Sequence, residues 1–402
     1  MTLPPVSVVI VSHGRPNLLG LCLTGVGQLD YPHFEIVVVA DAGGADAVRA
    51  HALGEQVKLV VFDTPNIAAA RNAGIAQAGG DVIAFIDDDA VPEPMWLQHL
   101  ITPFQDVQVA AAGGYVIGRN GISFQWRGRA VGVDAQTEDI ALPGDAPVVF
   151  DGTAQRGIKT EGTNMAVRRN VLAALGGFDP AFHFYLDETD LNMRLGQMGH
   201  KTAIVPLAQV HHGYAKSARR SAERVPRDLH QIGASLAVYL RKHGGDPGRF
   251  APEREAQRRR LLRHMVVGRL VPSDVGRVLA TFDAGWADGM TRNYGGAVAF
   301  TQVGLRAFEG QMSAKRRVIS GRFWQWRRKC AQAKAATRRG ERVTVILLSL
   351  SAKYHRVGFT AEGFWLQAGG QFGKSDRSDR RIQLWRASAR IERENERVAP
   401  VR

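Results

Sequence analysis

Three consecutive aspartates, Asp87-Asp88-Asp89, close a short apolar run from Val82 to Ile86. A run this rich in β-branched and aromatic residues predicts a strand buried on both faces. Three like charges at its carboxyl end raise one another's pKa unless a hard divalent cation or a cluster of Lys and Arg neutralises them. No Lys or Arg lies within ten residues on either side. The residue chemistry therefore favours a metal on Asp87 and Asp89, with Asp88 capping the turn into the helix that begins near Pro92. Ligands of open α/β sheets sit outside the carboxyl ends of the strands, where such a metal would bridge to substrate phosphates.

A second acidic constellation is Asp187-Glu188-Thr189-Asp190. Leu191, Leu195 and Met198 repeat at helical spacing, which places Asp187 and Glu188 in a first helical turn, where the dipole favours negative charge. Asp190 and Arg194 are four apart and pair along the helix face. Taken alone this is ordinary helix-start chemistry. The sequel adds weight: Ala203 to Pro206 predicts a strand, and His211-His212 follow it as candidate metal ligands.

The elements that must position these residues alternate. Val6 to Val11 predicts a strand, then come the Ser12-His13-Gly14-Arg15-Pro16 loop and a helical pattern from Leu18 to Leu29. Phe34 to Ala40 is a second strand, ending at Asp41, with Gly43 and Gly44 expected to let the backbone approach a ligand. Val57 to Phe62 is a third, and Asn66 to Ala78 is an Ala-rich helix carrying Arg71 and Asn72. Strands alternating with helices predict a parallel, doubly wound sheet. Ser12, Asp41 and the three aspartates then converge on one edge, at a crevice able to hold a nucleotide. Val107 to Val116 is expected as a further strand and Arg119 to Pro147 as a long, substrate-facing loop.

Composition bounds the rest. The chain has 402 residues, 45% of them hydrophobic, enough for two or three domains with a sizeable core. Its two cysteines, Cys22 and Cys330, offer neither metal spacing nor a disulfide framework, which implies a reducing compartment. No secretory signal is evident in Met1 to Val11, and the longest later apolar run, Val343 to Leu350, falls well short of the ~20 residues of a spanning helix. Charge divides sharply. Up to Tyr214 there are 13 Lys and Arg against 22 Asp and Glu, net -9; beyond it there are 39 against 16, net +23. An acidic half suits a metal site, and a basic half suits an anionic surface. That second half is expected to be mostly helical, over Leu229 to His243, Glu253 to Leu270 and Ser313 to Arg338, with a solvated helix or tail from Arg386.

In this order the motifs resemble inverting glycosyltransferases of family 2: Val-Val-Ile-Val-Ser-His-Gly-Arg15, Val-Val-Val-Ala-Asp41, Ala-Arg71-Asn72-Ala-Gly, Phe-Ile-Asp87-Asp88-Asp89, Gly-Gly-Phe-Asp179, Asp187-Glu188-Thr-Asp190-Leu and Val-His211-His212. The resemblance covers roughly the first half. It implies a GT-A fold over residues 1–244, followed by a basic region over 245–402, and a nucleotide-sugar donor used with Mg²⁺ or Mn²⁺. It further implies that Asp41 contacts the base, that Arg71 and Asn72 belong to the nucleotide pocket, and that Asp87 and Asp89 form a D-x-D element at metal and diphosphate. The nucleotide-contacting set is then Ser12, Asp41, Arg71, Asn72, Asp87 and Asp88; the metal set is Asp87 and Asp89 with His211 or His212. Glu188 matches the catalytic base, beside Asp187, and is one methylene longer than the Asp usual there.

The expected chemistry is a single in-line displacement, in which a carboxylate takes the proton of the acceptor hydroxyl as it attacks the anomeric carbon. The acceptor is expected to be an envelope or capsular glycan or a lipid-linked sugar, handled by a cytoplasmic protein peripheral to the inner face of the cell membrane. Basic clusters around Arg254 to Arg263 and Arg316 to Lys329, with Trp324 and Trp326, would meet the anionic surface. Nucleic acid is not expected as a partner, although Phe323-Trp324-Gln-Trp326-Arg-Arg would also suit single strands. A haloacid dehalogenase-type phosphatase is a distant alternative, because Asp87-x-Asp89 closes the fourth strand rather than the first.

Overall fold

β-branched side chains dominate four early runs, and all four form strands. The computed structural model describes residues 3–213, 219–310 and 314–402. In it, Val6–Ser12, Phe34–Ala40, Val57–Val61 and Val82–Asp87 run parallel, with Val57–Val61 at the sheet edge. Helices Pro16–Val26, Ala42–Ala50 and Ile67–Gln77 make the crossovers, the first with Pro16 opening it. The sheet continues from Val82–Asp87 through Met165–Arg168, Val109–Ile117 and Lys201–His212 to Val148–Asp151. Met165–Arg168 is antiparallel to both neighbours, so the sheet is mostly rather than wholly parallel. The expected mostly parallel sheet flanked by helices is the architecture observed.

Register aligns the strand ends. Ser12 pairs with Ala40, and Val11 pairs with Asp87, which brings Ser12, Asp41 and the three aspartates to one edge as expected. Three local expectations need correction. Gly43 and Gly44 lie in the first turn of the Ala42–Ala50 helix rather than in a ligand-facing loop, because the Asp41 carboxylate caps that helix by accepting from Gly44 N at 2.9 Å. The stretch from Arg119 to Pro147 is not one long loop: it contains strands Phe124–Trp126, Arg129–Gly132 and Thr137–Asp139, short enough to escape a periodicity search. His211 and His212 do not follow a strand but end one, since Lys201–His212 continues through an irregularity between Val205 and Gln209.

Beyond the sheet, helices His230–His243, Phe250–Val266 and Pro272–Thr291 pack around Leu236, Tyr239, Leu240, Val278 and Phe282. Gly285 is required at that crossing, because a Cβ there would lie 1.9 Å from the His230 carbonyl oxygen. The helix expected over Ser313 to Arg338 begins instead as strand Arg316–Arg322 and becomes helical only at Trp326–Thr337; Ser313 itself lies outside the described residues. The Arg residues that suggested a helix sit on a strand whose inward residue, Ile319, is buried. A second sheet results, in the order Arg316–Arg322, Arg342–Ser349, Trp365–Gly370, Arg356–Phe359. The first three strands run parallel. The terminal helix, Ala387–Val398, is not merely solvated: Arg390 and Glu394 are buried against His355, Gln367 and Ser375. No helix of the described residues is long and apolar enough to cross a membrane.

Candidate active site

The three aspartates take three different roles in the geometry. Asp88 is buried, accepting from Ser12 Oγ at 2.7 Å and Arg15 Nη1 at 2.9 Å. Burial pushes its carboxyl up to about 7 against the pull of Arg15. Ser12 therefore holds Asp88 rather than facing the crevice. Asp89 is also buried, with Oδ1 3.1 Å from His212 Nε2 and Oδ2 3.6 Å from Arg15. Asp87, whose side chain is 33% exposed, lies 3.4 Å from Arg71. The cations absent from the sequence neighbourhood of the aspartates thus arrive from the loop after the first strand and from the Ile67–Gln77 helix.

Asp87, Asp89 and His212 each offer a ligand atom, and these atoms lie within 4.8 Å of one another. Two carboxylate oxygens and one imidazole nitrogen suit Mn²⁺ or Mg²⁺, with further positions left for substrate oxygens. His212 is oriented by Gln125, 3.0 Å from its Nδ1, and by the Trp126 ring 5.8 Å away. His211 is a correction. Adjacent residues on a strand point to opposite faces, and His211 turns away to Glu93 Oε1 at 2.8 Å and packs 4.6 Å from Trp365. Arg402 makes a two-pronged contact to the same Glu93, at 2.7 and 2.8 Å. Burial raises the Glu93 carboxyl, but Arg402 and His211 outweigh it and hold it at about 2.

Arg71 joins the two acidic constellations. Its Nη1 donates to Asp187 in a tight buried pair while Nη2 faces Asp87, and the guanidinium lies 5.2 Å from the Phe178 ring. Glycine at 162 leaves room for this guanidinium, since a Cβ there would meet Arg71 Nη2 at 2.2 Å and displace it. Asn72, expected in the nucleotide pocket, is instead a structural staple: Oδ1 accepts from Phe178 N at 2.8 Å and Nδ2 donates to Phe178 O at 2.7 Å. Asp41 spends one oxygen on its helix and the other on Gly14 N at 2.8 Å, yet stays partly exposed at the crevice mouth.

Asp187 and Glu188 open the helix Asp187–Gln197 as predicted, after Tyr185 and Leu186 in left-handed backbone, with φ of 74° and 63°. Neither residue is Gly or Asn, so the turn is a strained one. Glu188 Oε1 accepts from Lys159 Nζ at 3.0 Å. Burial raises Glu188, but Lys159 and then Arg71 pull it well below the usual carboxylate range. For Asp187, burial dominates over Arg71 and the carboxyl is held above that range. Access separates them: the Glu188 side chain is 17% exposed and that of Asp187 3%. Asp190 bonds Arg194, as its spacing predicts, and also Lys242 and His243 from the His230–His243 helix.

Sequence reasoning missed Lys159 and the Arg129–Glu161 pair beside it. Lys159 was findable in principle, as a lone buried-strand lysine that needs a carboxylate. Arg220 was not. Burial lowers its pKa against the pull of Asp89, and Arg224, Arg15 and Arg119 lower it further, charges drawn from segments with no shared pattern.

Residues 7–169 match Glycosyl transferase family 2. Among curated relatives, the chain is 30% identical over 260 residues to the O-antigen biosynthesis protein RfbC of Myxococcus xanthus, covering 61% of this chain and 20% of that protein. It is 29% identical over 223 residues to the probable glycosyltransferase YdaM of Bacillus subtilis, covering 51% and 50%. The chain thus spans half or less of these relatives' length. Among solved structures, a Pyrobaculum calidifontis mannosyltransferase in complex with GDP-Man and Mn²⁺ aligns with a TM-score of 0.43 at 19% identity, over 73% of this chain and 77% of that one.

Proposed function

We propose that this protein transfers a sugar from a nucleotide-sugar donor to an acceptor hydroxyl, with inversion at the anomeric carbon. One observation carries the proposal: Asp87, Asp89 and His212 converge at the strand ends of a sheet whose first strands match family 2, and connect through Arg71 to Asp187, the neighbour of Glu188. A divalent ion there, Mg²⁺ or Mn²⁺, would neutralise charge developing on the departing nucleoside diphosphate. Asp87, Asp89 and His212 would hold that ion, and Arg15 with Arg220 would meet remaining phosphate charge.

Glu188 is the base in this account because it is the more accessible carboxylate of the pair. Its bond to Lys159 favours the ionised form, and the acceptor hydroxyl would compete with Lys159 for it. Asp187 positions Arg71. Asp41 offers its exposed edge to the base, whereas Ser12, Asp88 and Asn72 act through their neighbours. Residues 1–244 are the transferase unit and 245–402 a docking region. An O-antigen biosynthesis relative supports an envelope glycan or lipid-linked sugar as acceptor, handled at the cytoplasmic face of an anionic membrane. Incubation with a panel of UDP-, GDP- and dTDP-sugars and Mn²⁺ tests the proposal: one donor should be consumed, with product of inverted anomeric configuration by NMR. Retained configuration, or consumption indifferent to chelation, would contradict it.

A further inference from the structure

The second sheet borders an open cavity of about 550 Å³ that sugar transfer leaves unused. It sits where the carboxyl ends of three parallel strands meet: Phe323 follows Arg316–Arg322, Ser349 ends Arg342–Ser349, and Gly369 is next to last in Trp365–Gly370. This is the edge at which open α/β sheets bind ligands. Helix Trp326–Thr337 covers the inner strands, through Ala333 and Ala336 against Val343, Val345 and Leu347. The cavity opens beside the helix start, above Leu366 and Ala368 and the residues paired with them, Gly358 and Arg356.

The lining is of two kinds. Phe323, Trp326, Phe359 and Leu366 supply apolar surface, while Lys353 and Arg356 are the charged residues; no carboxylate lines the cavity among the described residues. Tyr354 in the lining is 52% exposed, and Trp324 and Leu350, next in sequence to the lining residues Phe323 and Ser349, are 71% and 67% exposed. A neutral apolar guest would desolvate two cations without compensation, and a wholly polar anion would leave the aromatic walls wet. The volume is that of an ordinary small-ligand site.

We infer that this cavity binds an amphipathic anion, burying an acyl or isoprenoid chain among the aromatic and aliphatic walls while a phosphate or carboxylate headgroup rests on Lys353 and Arg356. The start of the Trp326–Thr337 helix adds a favourable field for that headgroup. The outer strand of this sheet also touches the transferase domain: Val357 packs on Val91 and Ile122, and its N–H donates to Asn120 O at 3.0 Å. The inference does not depend on sugar transfer, and binding is read without any donor, so either idea can fail alone.

Gly358 provides the test, because a Cβ there meets nothing within 4 Å, so a leucine would grow into the cavity without moving the backbone. Calorimetry of the full chain with dodecyl phosphate, below its micelle concentration, should give one site per chain. Dodecyl maltoside, with the same chain and no charge, should bind about tenfold more weakly or worse, the scale of one charge-assisted contact. Gly358→Leu should abolish dodecyl phosphate binding while the melting temperature stays within a few degrees. Should that variant fail to fold, the Lys353→Glu, Arg356→Glu double variant decides, losing preference for phosphate over maltoside. Anionic phospholipid vesicles identify the source. Wild-type sedimentation that Gly358→Leu loses would name a membrane lipid as the ligand, and sedimentation unchanged beside lost dodecyl phosphate binding would name a free amphipath. No binding of dodecyl phosphate, equal affinity for the maltoside, or undiminished binding in folded Gly358→Leu overturns the inference.

Discussion

Two sheets in this molecule end in the same way and offer opposite chemistry. In the first, parallel strands deliver Ser12, Asp41 and Asp87 to Asp89 to a shared edge, where burial drives carboxylates to seek cations. In the second, parallel strands deliver Phe323, Ser349 and Gly369 to an apolar cavity whose charged residues, Lys353 and Arg356, are both basic. Topology supplies the place in both cases. The side chains that follow each strand decide what can bind there.

The sharpest way to break that contrast is to neutralise the acidic site's base. Glu188→Gln keeps shape and hydrogen bonding and should lower turnover by about 10²-fold or more while donor affinity persists, which steady-state kinetics with donor calorimetry would measure. Collapse in Asp187→Asn with survival in Glu188→Gln would exchange the two roles. Next comes the histidine pair. His212→Ala should weaken Mn²⁺ binding by roughly tenfold or more, whereas His211→Ala should leave Mn²⁺ affinity intact and lower stability by about 1–3 kcal/mol through the lost bond to the buried Glu93 carboxylate, which Arg402 still holds. Equal loss of metal affinity in both would return His211 to the site.

A smaller effect follows from titration. Burial holds Asp87 and Asp88 above the ordinary carboxylate range, Asp88 at about 7, so protons compete with a cation for this cluster. Raised carboxyl pKa values mean the protonated forms dominate below them. A cation bound at Asp87 must displace its proton, and its charge beside Asp88 favours the ionised form there as well. The rise in melting temperature produced by Mn²⁺ should therefore be greater at pH 8 than at pH 6, and the reverse order would place the cation elsewhere. The basic surface should matter least. Sedimentation with anionic vesicles should fade as salt approaches ~0.5 M, where the Debye length falls well below 10 Å; salt-independent sedimentation would make apolar contact the anchor.

Much of the acidic site was legible because its parts are contiguous. Asp87 to Asp89 follow an unmistakable buried strand, and Asp187 with Glu188 precede a clean helical stripe, so both constellations appear where periodicity places them. What escaped depends on pairings between distant segments. Arg15, Arg71 and Lys159 each complete an acidic cluster from 70, 16 and 29 residues or so away, a distance over which sequence carries no contact signal. His211 was misplaced because adjacent residues look equivalent until strand alternation separates their faces. The second sheet was hidden by composition. Arg316, Arg317 and Arg322 suggest a charged helix, yet the alternation of Val318, Ile319 and Ser320 within a parallel pairing makes a strand. The burial of Arg390 and Glu394 was equally unreadable, because their partners His355, Gln367 and Ser375 lie on other elements.

The most direct test of the acidic site is calorimetric titration of the nucleoside diphosphates UDP and GDP into wild type and Asp89→Ala, with Mn²⁺ and with chelator. Asp89 contributes a ligand atom to the cluster and none to the hydrophobic core, so its loss should leave the melting temperature within a few degrees. Wild type should bind one of the two nucleotides only when Mn²⁺ is present, and Asp89→Ala should bind neither. Metal-independent binding in wild type, or undiminished binding in a folded Asp89→Ala, would contradict the assignment of this crevice to a metal-bridged nucleotide.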